Sequence, residues 1–161
     1  MRKVFIAGLM AGTLTSAVAA QNSDPERASA LISQAQQLDF HRDREQIARL
    51  YEKASGLFSP SDPQATYSLN YAAQFYYTAG NKQRAGRMLE RAAQLAAARG
   101  SAVEAADLYV AAAIAATETR DYGKRRILID NVLGLVANRD MADTDRVRIL
   151  KRVVTPLAAD K

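Results

Sequence analysis

The chain repeats itself. Ser23-Asp24-Pro25-Glu26 recurs 38 residues on, from position 23 to position 61, as Ser61-Asp62-Pro63-Gln64. The same step carries Leu31 onto Leu69, Ala35 onto Ala73, Leu38 onto Tyr76, Ile47 onto Ala85, Tyr51 onto Leu89, Ala54 onto Ala92 and Leu57 onto Leu95. A second step reaches Ala111, Ile114, Ile127 and Leu133, but it also lands on Asp107, Gly123 and Asp130. A period between roughly 20 and 50 residues belongs to stacked supersecondary units, each unable to bury its apolar face alone.

The periodicity within each unit is helical. Asp24 with Pro25 makes an N-cap followed by a proline at the first helical position, where no intrahelical bond is lost. Ala28, Leu31, Ala35 and Leu38 then follow at helical spacing. Asp39 to Asp43 reads as a polar turn before a second helix from Arg44 to Leu57. Pro60 and Pro63 separate it from a third helix, Pro63 to Ala79, which Gly80-Asn81 closes as residues tolerant of a left-handed C-cap. A fourth runs from Lys82 to Arg99 and stops at Gly100. Ser101 and Glu104 have the spacing of a capping box for a fifth, Ala102 to Glu118. Arg120-Asp121-Tyr122-Gly123 is the turn into a sixth, Lys124 to Ala137. A seventh, Asp145 to Val154, has Val147, Leu150 and Val154 on one side, and Pro156 ends it. Arg146, Arg148, Lys151 and Arg152 suit the water-facing side of a terminal cap. No segment alternates with the period of a strand. The expected class is all-α, built from stacked antiparallel helical hairpins at about 24–58, 61–99 and 101–138, with a capping helix at about 144–155.

The first 20 residues stand apart. Met1-Arg2-Lys3 is basic, Val4 to Leu14 is apolar and uncharged, and Ala17-Val18-Ala19-Ala20 is a run of small residues. This is the build of a cleaved secretory signal peptide, so residues 21–161 form the expected single mature domain, in the periplasm or outside the cell, with no stable membrane span after cleavage. Losing Arg2 and Lys3 lowers the formal charge from +5 to +3, too mild a basicity to argue for nucleic acid. The absence of cysteine removes disulfides, thiolate metal sites and a cysteine nucleophile.

The middle hairpin resembles a known family. Leu69, Ala72, Ala73, Tyr76, Gly80, Ala85, Leu89 and Ala92 fall at the spacings of a tetratricopeptide repeat. In that pattern, small residues such as Ala73 and Ala85 stand where the two helices approach most closely. Leu69 replaces the frequent early tryptophan, and the terminal proline is missing. The period exceeds the usual one by about four residues, or about one helical turn. The resemblance implies a tetratricopeptide-like α-solenoid whose first helices line a groove for extended peptides.

Tyr67, Asn70, Tyr71, Gln74 and Tyr77 make a second face on the third helix, with Leu108 and Tyr109 as counterparts on the fifth. Tyrosine offers contact area with a polar tip, and Asn and Gln both donate and accept. This face is the candidate peptide-binding site; its alternative role is packing against the first hairpin. Arg84, Arg87 and Arg91 form a basic stripe on the fourth helix, a candidate surface for polyanions or membranes or else an ordinary solvated face. His41 is the only histidine and sits in a turn, Asp143 and Asp145 suit a helix N-terminus, and neither a nucleophile elbow nor a phosphate loop is present. The expectation is a binding protein for another protein or a peptide, with no catalytic residues, no metal and no cofactor.

Overall fold

The computed structural model describes residues 23–138 and 140–158. The signal-peptide segment, residues 1–20, lies outside them. The described residues form seven helices and no strand: α1 Pro25–Gln36, α2 Arg44–Ser55, α3 Pro63–Thr78, α4 Lys82–Ala98, α5 Ala102–Glu118, α6 Tyr122–Val136 and α7 Asp143–Ala158. Helices α1 to α6 each pack mainly on their neighbours in sequence; α7 departs from this and lies chiefly against α5. Among the described residues no helix is long and apolar enough to cross a membrane.

Local chemistry sets most boundaries. The Asp24 carboxylate accepts from Arg27 N at 3.0 Å and that of Asp62 from Gln64 N at 2.8 Å, each ahead of a proline at the helix start. In the α1–α2 turn, Asp39 Oδ1 accepts from the amides of His41 and Arg42, at 2.8 and 3.1 Å, which holds the Asp39 carboxyl below its ordinary pKa.

The three tight turns from α3 to α6 share one device. Gly80, Gly100 and Arg120 each adopt positive φ, at 86°, 79° and 59°. The next amide then donates back into the preceding helix: Asn81 to Tyr76 O, Ser101 to Ala96 O and Asp121 to Ala116 O, the six-to-one bond of a Schellman motif. The same residue starts the next helix, so Asn81 is not part of a left-handed closure but the N-cap of α4, accepting from Arg84 N. Likewise Asp121 caps α6 through Lys124 N at 2.9 Å, which makes Tyr122 and Gly123 helical rather than turn residues. The capping box at Ser101 does not form: its side chain makes no cap bond, and Glu104 instead accepts from Arg99 at 3.0 Å.

These boundaries explain why the repeat fades. From unit one to unit two both helices advance by 38 residues, from 25 to 63 and from 44 to 82; the third unit starts at 102 and 122, a step of 39 for its first helix and 40 for its second. With that slip Leu69 corresponds to Leu108 instead of Asp107, and Ala92 to Val132 instead of Asp130. Leu108 and Val132 are both buried.

One core receives side chains from all seven helices, among them Ala35, Ile47, Leu69, Ala85, Ala105, Leu128 and Ile149. Ala73 and Ala85 are both buried in it. A smaller cluster of Ala28, Ala54, Phe58 and Ala65 closes the N-terminal end. Helix α5 is the most enclosed: Ala105, Ala106, Leu108, Tyr109, Val110, Ala112, Ala113, Ala115 and Ala116 are all buried. Apolar residues all round a helix signal burial on several sides, and alanine lets neighbouring backbones approach closely.

Helix α7 differs from expectation. Val147 and Val154 are exposed, 51% and 60%, while Ile149 and Val153 are buried. Each such aliphatic side chain contributes about 1.5–3 kcal/mol on burial, which sets the rotation of the helix. Arg148 and Arg152 consequently do not face open water but converge on Asp107 of α5, at 2.8 and 2.5 Å. Helix α7 also continues past Pro156 to Ala158, because a proline in the last turn removes one donor without forcing the backbone out of helical geometry.

Candidate functional site

The second face of α3 does not act as one surface; its residues go four ways. Tyr67 and Asn70 open into a cleft of about 860 Å³ between α3, the N-terminal half of α5 and the α6–α7 connection. Leu108, Asp107, Asn138 and Met141 line the far side. Tyr67 is 46% exposed. Its ring centroid lies 4.4 Å from that of Tyr71, and its hydroxyl is pushed up to about 12 from 10.0, chiefly by a hydrogen bond with Tyr71, then by burial.

Tyr71 is half-buried and leans on the first hairpin, stacked on Tyr51 of α2 at 5.2 Å. Tyr51 also lies 6.3 Å from Phe75, and Phe75 lies 5.7 Å from Phe40. Five rings thus run in one row from the exposed Phe40 to the exposed Tyr67. Burial raises the pKa of Tyr51. This packing satisfies the apolar side of hairpin one while leaving the two ends of the row in water.

Tyr77 turns towards the third hairpin. Its hydroxyl donates to Glu118 at 2.5 and 2.6 Å, and Lys82 Nζ reaches the same carboxylate at 3.1 Å. The shared proton raises Tyr77 and lowers Glu118 from their ordinary values. Gln74 is exposed and lies outside the cleft. Tyr109 is buried rather than aligned with Leu108; burial raises its pKa, and the Glu90 charge adds to this. The cleft therefore gathers Tyr67, Asn70 and Leu108 of the seven candidate residues.

The arginine stripe is divided as well. Arg84 donates to Glu52 Oε2 at 2.9 Å and lies 4.6 Å from the Tyr76 ring centre. Its charge is spent on holding α4 to α2. Arg87 and Arg91 are exposed. His41 stays in its exposed surface turn. Among the described residues no group of three or more His, Cys, Asp or Glu side chains is placed to hold a metal ion.

Sequence patterning missed the polar side of the cleft. Asp107 registers in the sequence only as a break in the repeat, yet it anchors both α7 arginines at the cleft wall. Thr66, buried on α3, accepts from Arg99 at 2.5 Å, and Arg99 continues to Glu104. These pairs link helices far apart in sequence, so no local pattern signals them. The loop side is set by Arg146, which donates to the carbonyls of Val136, Asn138 and Met141 and pairs with Asp143.

No family model, curated protein or solved structure matches this chain.

Proposed function

We propose that this protein is an exported, tetratricopeptide-like helical-repeat scaffold that binds a peptide or protein segment in the cleft between α3 and α5. The observation that carries the reading is the cleft itself: an open volume of about 860 Å³ with a half-exposed tyrosine, an asparagine amide and a leucine converging on it. Binding sites of this size are normally mostly apolar with a few placed polar groups. Tyr67 supplies a ring already held by Tyr71, so little side-chain freedom is lost on binding. Asn70 has both a donor and an acceptor for a peptide backbone. The repeat reading is supported by the 38-residue period and by antiparallel hairpins that share one core. Export is supported by the basic, apolar and small-residue pattern of residues 1–20.

A displayed library of random linear peptides, selected against residues 21–161, tests the binding reading. Enriched clones should lose binding to Tyr67→Ser and Asn70→Ala proteins that keep the wild-type circular dichroism. Failure to enrich any clone, or equal binding to folded variants, rejects it. The polyanion alternative has weaker support, because Arg84 is already ion-paired.

A further inference from the structure

A second cleft, of about 310 Å³, lies between α4, the C-terminal half of α5 and the start of α6. Its floor is apolar and made of small residues: Gly86, Ala112, Ala115 and Ala116, with Leu128 behind them. Gly86 keeps α4 close to α5, since a Cβ there would touch the Ala115 Cβ at 3.4 Å. The rim is charged, and the charges do not cancel. Asp121 is occupied as the α6 N-cap, accepting from Lys124 N. Glu90 accepts from Lys124 Nζ at 2.6 Å. Lys82 is held by Glu118 at 3.1 Å. Arg87 remains: exposed, on the cleft wall, and without a carboxylate partner among the described residues. The cleft thus joins an apolar floor to one uncompensated guanidinium.

We infer that this cleft binds a small aliphatic monocarboxylate, its chain on the Gly86–Ala115–Ala116 floor and its carboxylate paired with Arg87. The volume falls at the lower end of the range for small-molecule sites, about 300 Å³. A guanidinium matches a carboxylate with two parallel hydrogen bonds, and a single net positive charge favours a monoanion over a cation or a dianion. A short alkyl chain removes from water the floor that no side chain covers. The inference is independent of the peptide reading, because the two clefts share no lining residue.

Calorimetric titration of residues 21–161 with sodium octanoate, octylammonium chloride and octanamide tests it. Octanoate should bind at one site, and the cationic and neutral analogues should bind at least about tenfold more weakly. Arg87→Gln should weaken octanoate about tenfold, Arg87→Lys should retain most of the affinity, and Arg91→Gln should leave it unchanged. Arg87 is exposed, so these variants keep the fold, and circular dichroism verifies this. Absence of octanoate binding, equal affinity for octylammonium, or unchanged affinity in Arg87→Gln overturns the inference.

Discussion

Tyr76 and Tyr77 are adjacent in sequence but bond in opposite directions. The Tyr76 hydroxyl donates back to Glu52 of α2 at 2.7 Å, and the Tyr77 hydroxyl donates forward to Glu118 of α5 at 2.5 Å. Each carboxylate also meets a cation of α4, Arg84 for Glu52 and Lys82 for Glu118. The end of α3 is therefore bound on both sides through one dipeptide, which ties all three hairpins together.

The two links differ in strength. Tyr76 is fully buried, whereas Tyr77 is 37% exposed. Tyr76→Phe leaves Glu52 short of a buried donor and should cost about 1–2 kcal/mol, while Tyr77→Phe should cost about 0.5 kcal/mol. Urea unfolding of both variants, read as midpoints at unchanged slope, checks the ordering. Equal losses would contradict it.

The Tyr77–Glu118 pair also carries a pH signature. Glu118 sits below its ordinary 4.5 because it accepts from Tyr77 and faces Lys82, so its contribution is present above that value and disappears as pH falls through the lowered folded pKa. Tyr77 sits above its ordinary 10.0, so its contribution is present below that value and disappears as pH rises through the raised one. The stability gap between wild type and Tyr77→Phe should be widest between these limits and shrink on both sides. Urea midpoints measured from pH 3 to pH 10.5 follow it; a gap that is constant with pH would remove the assignment.

The turn at Arg120 should be improvable. It occupies the left-handed position that glycine fills at Gly80 and Gly100, and a side chain there costs about 1 kcal/mol. Arg120→Gly should raise stability by about that amount, and Gly80→Ala should lower it by a similar one. Thermal unfolding of the pair reads opposite shifts in Tm.

Asp107 is the polar attachment of α7. Its partners Arg148 and Arg152 are each 44% exposed, so Asp107→Asn should cost only about 0.5–1 kcal/mol overall. The loss should be local: amide hydrogen exchange should quicken in α7 and stay unchanged in α2, α3 and α4. Uniform quickening across the helices would show that α7 belongs to the same cooperative unit.

The helices, their caps and the repeat could be read from the chain because each depends on residues within about one turn of one another. Asp24-Pro25 and Asp62-Pro63 are such cases, and so is the apolar surround of α5. The second face of α3 was visible as a set of polar aromatic residues, but its division was not. Tyr71, Tyr77 and Tyr67 share a helix and a residue type, yet one stacks on Tyr51, one reaches Glu118 and one borders the cleft.

The sequence by itself determined seven helical segments, their order and the composition of the face that α3 presents. Tertiary structure alone decided the third unit's slip to steps of 39 and 40, the rotation that buries Ile149 instead of Val147, and the pairing of Asp107 with arginines 41 and 45 residues away. The physical reason is range. A helix forms from bonds between residues four apart, whereas the rotation and sliding of one helix on another follow from the summed burial of many side chains, and a shift of one residue redirects a side chain by about 100°.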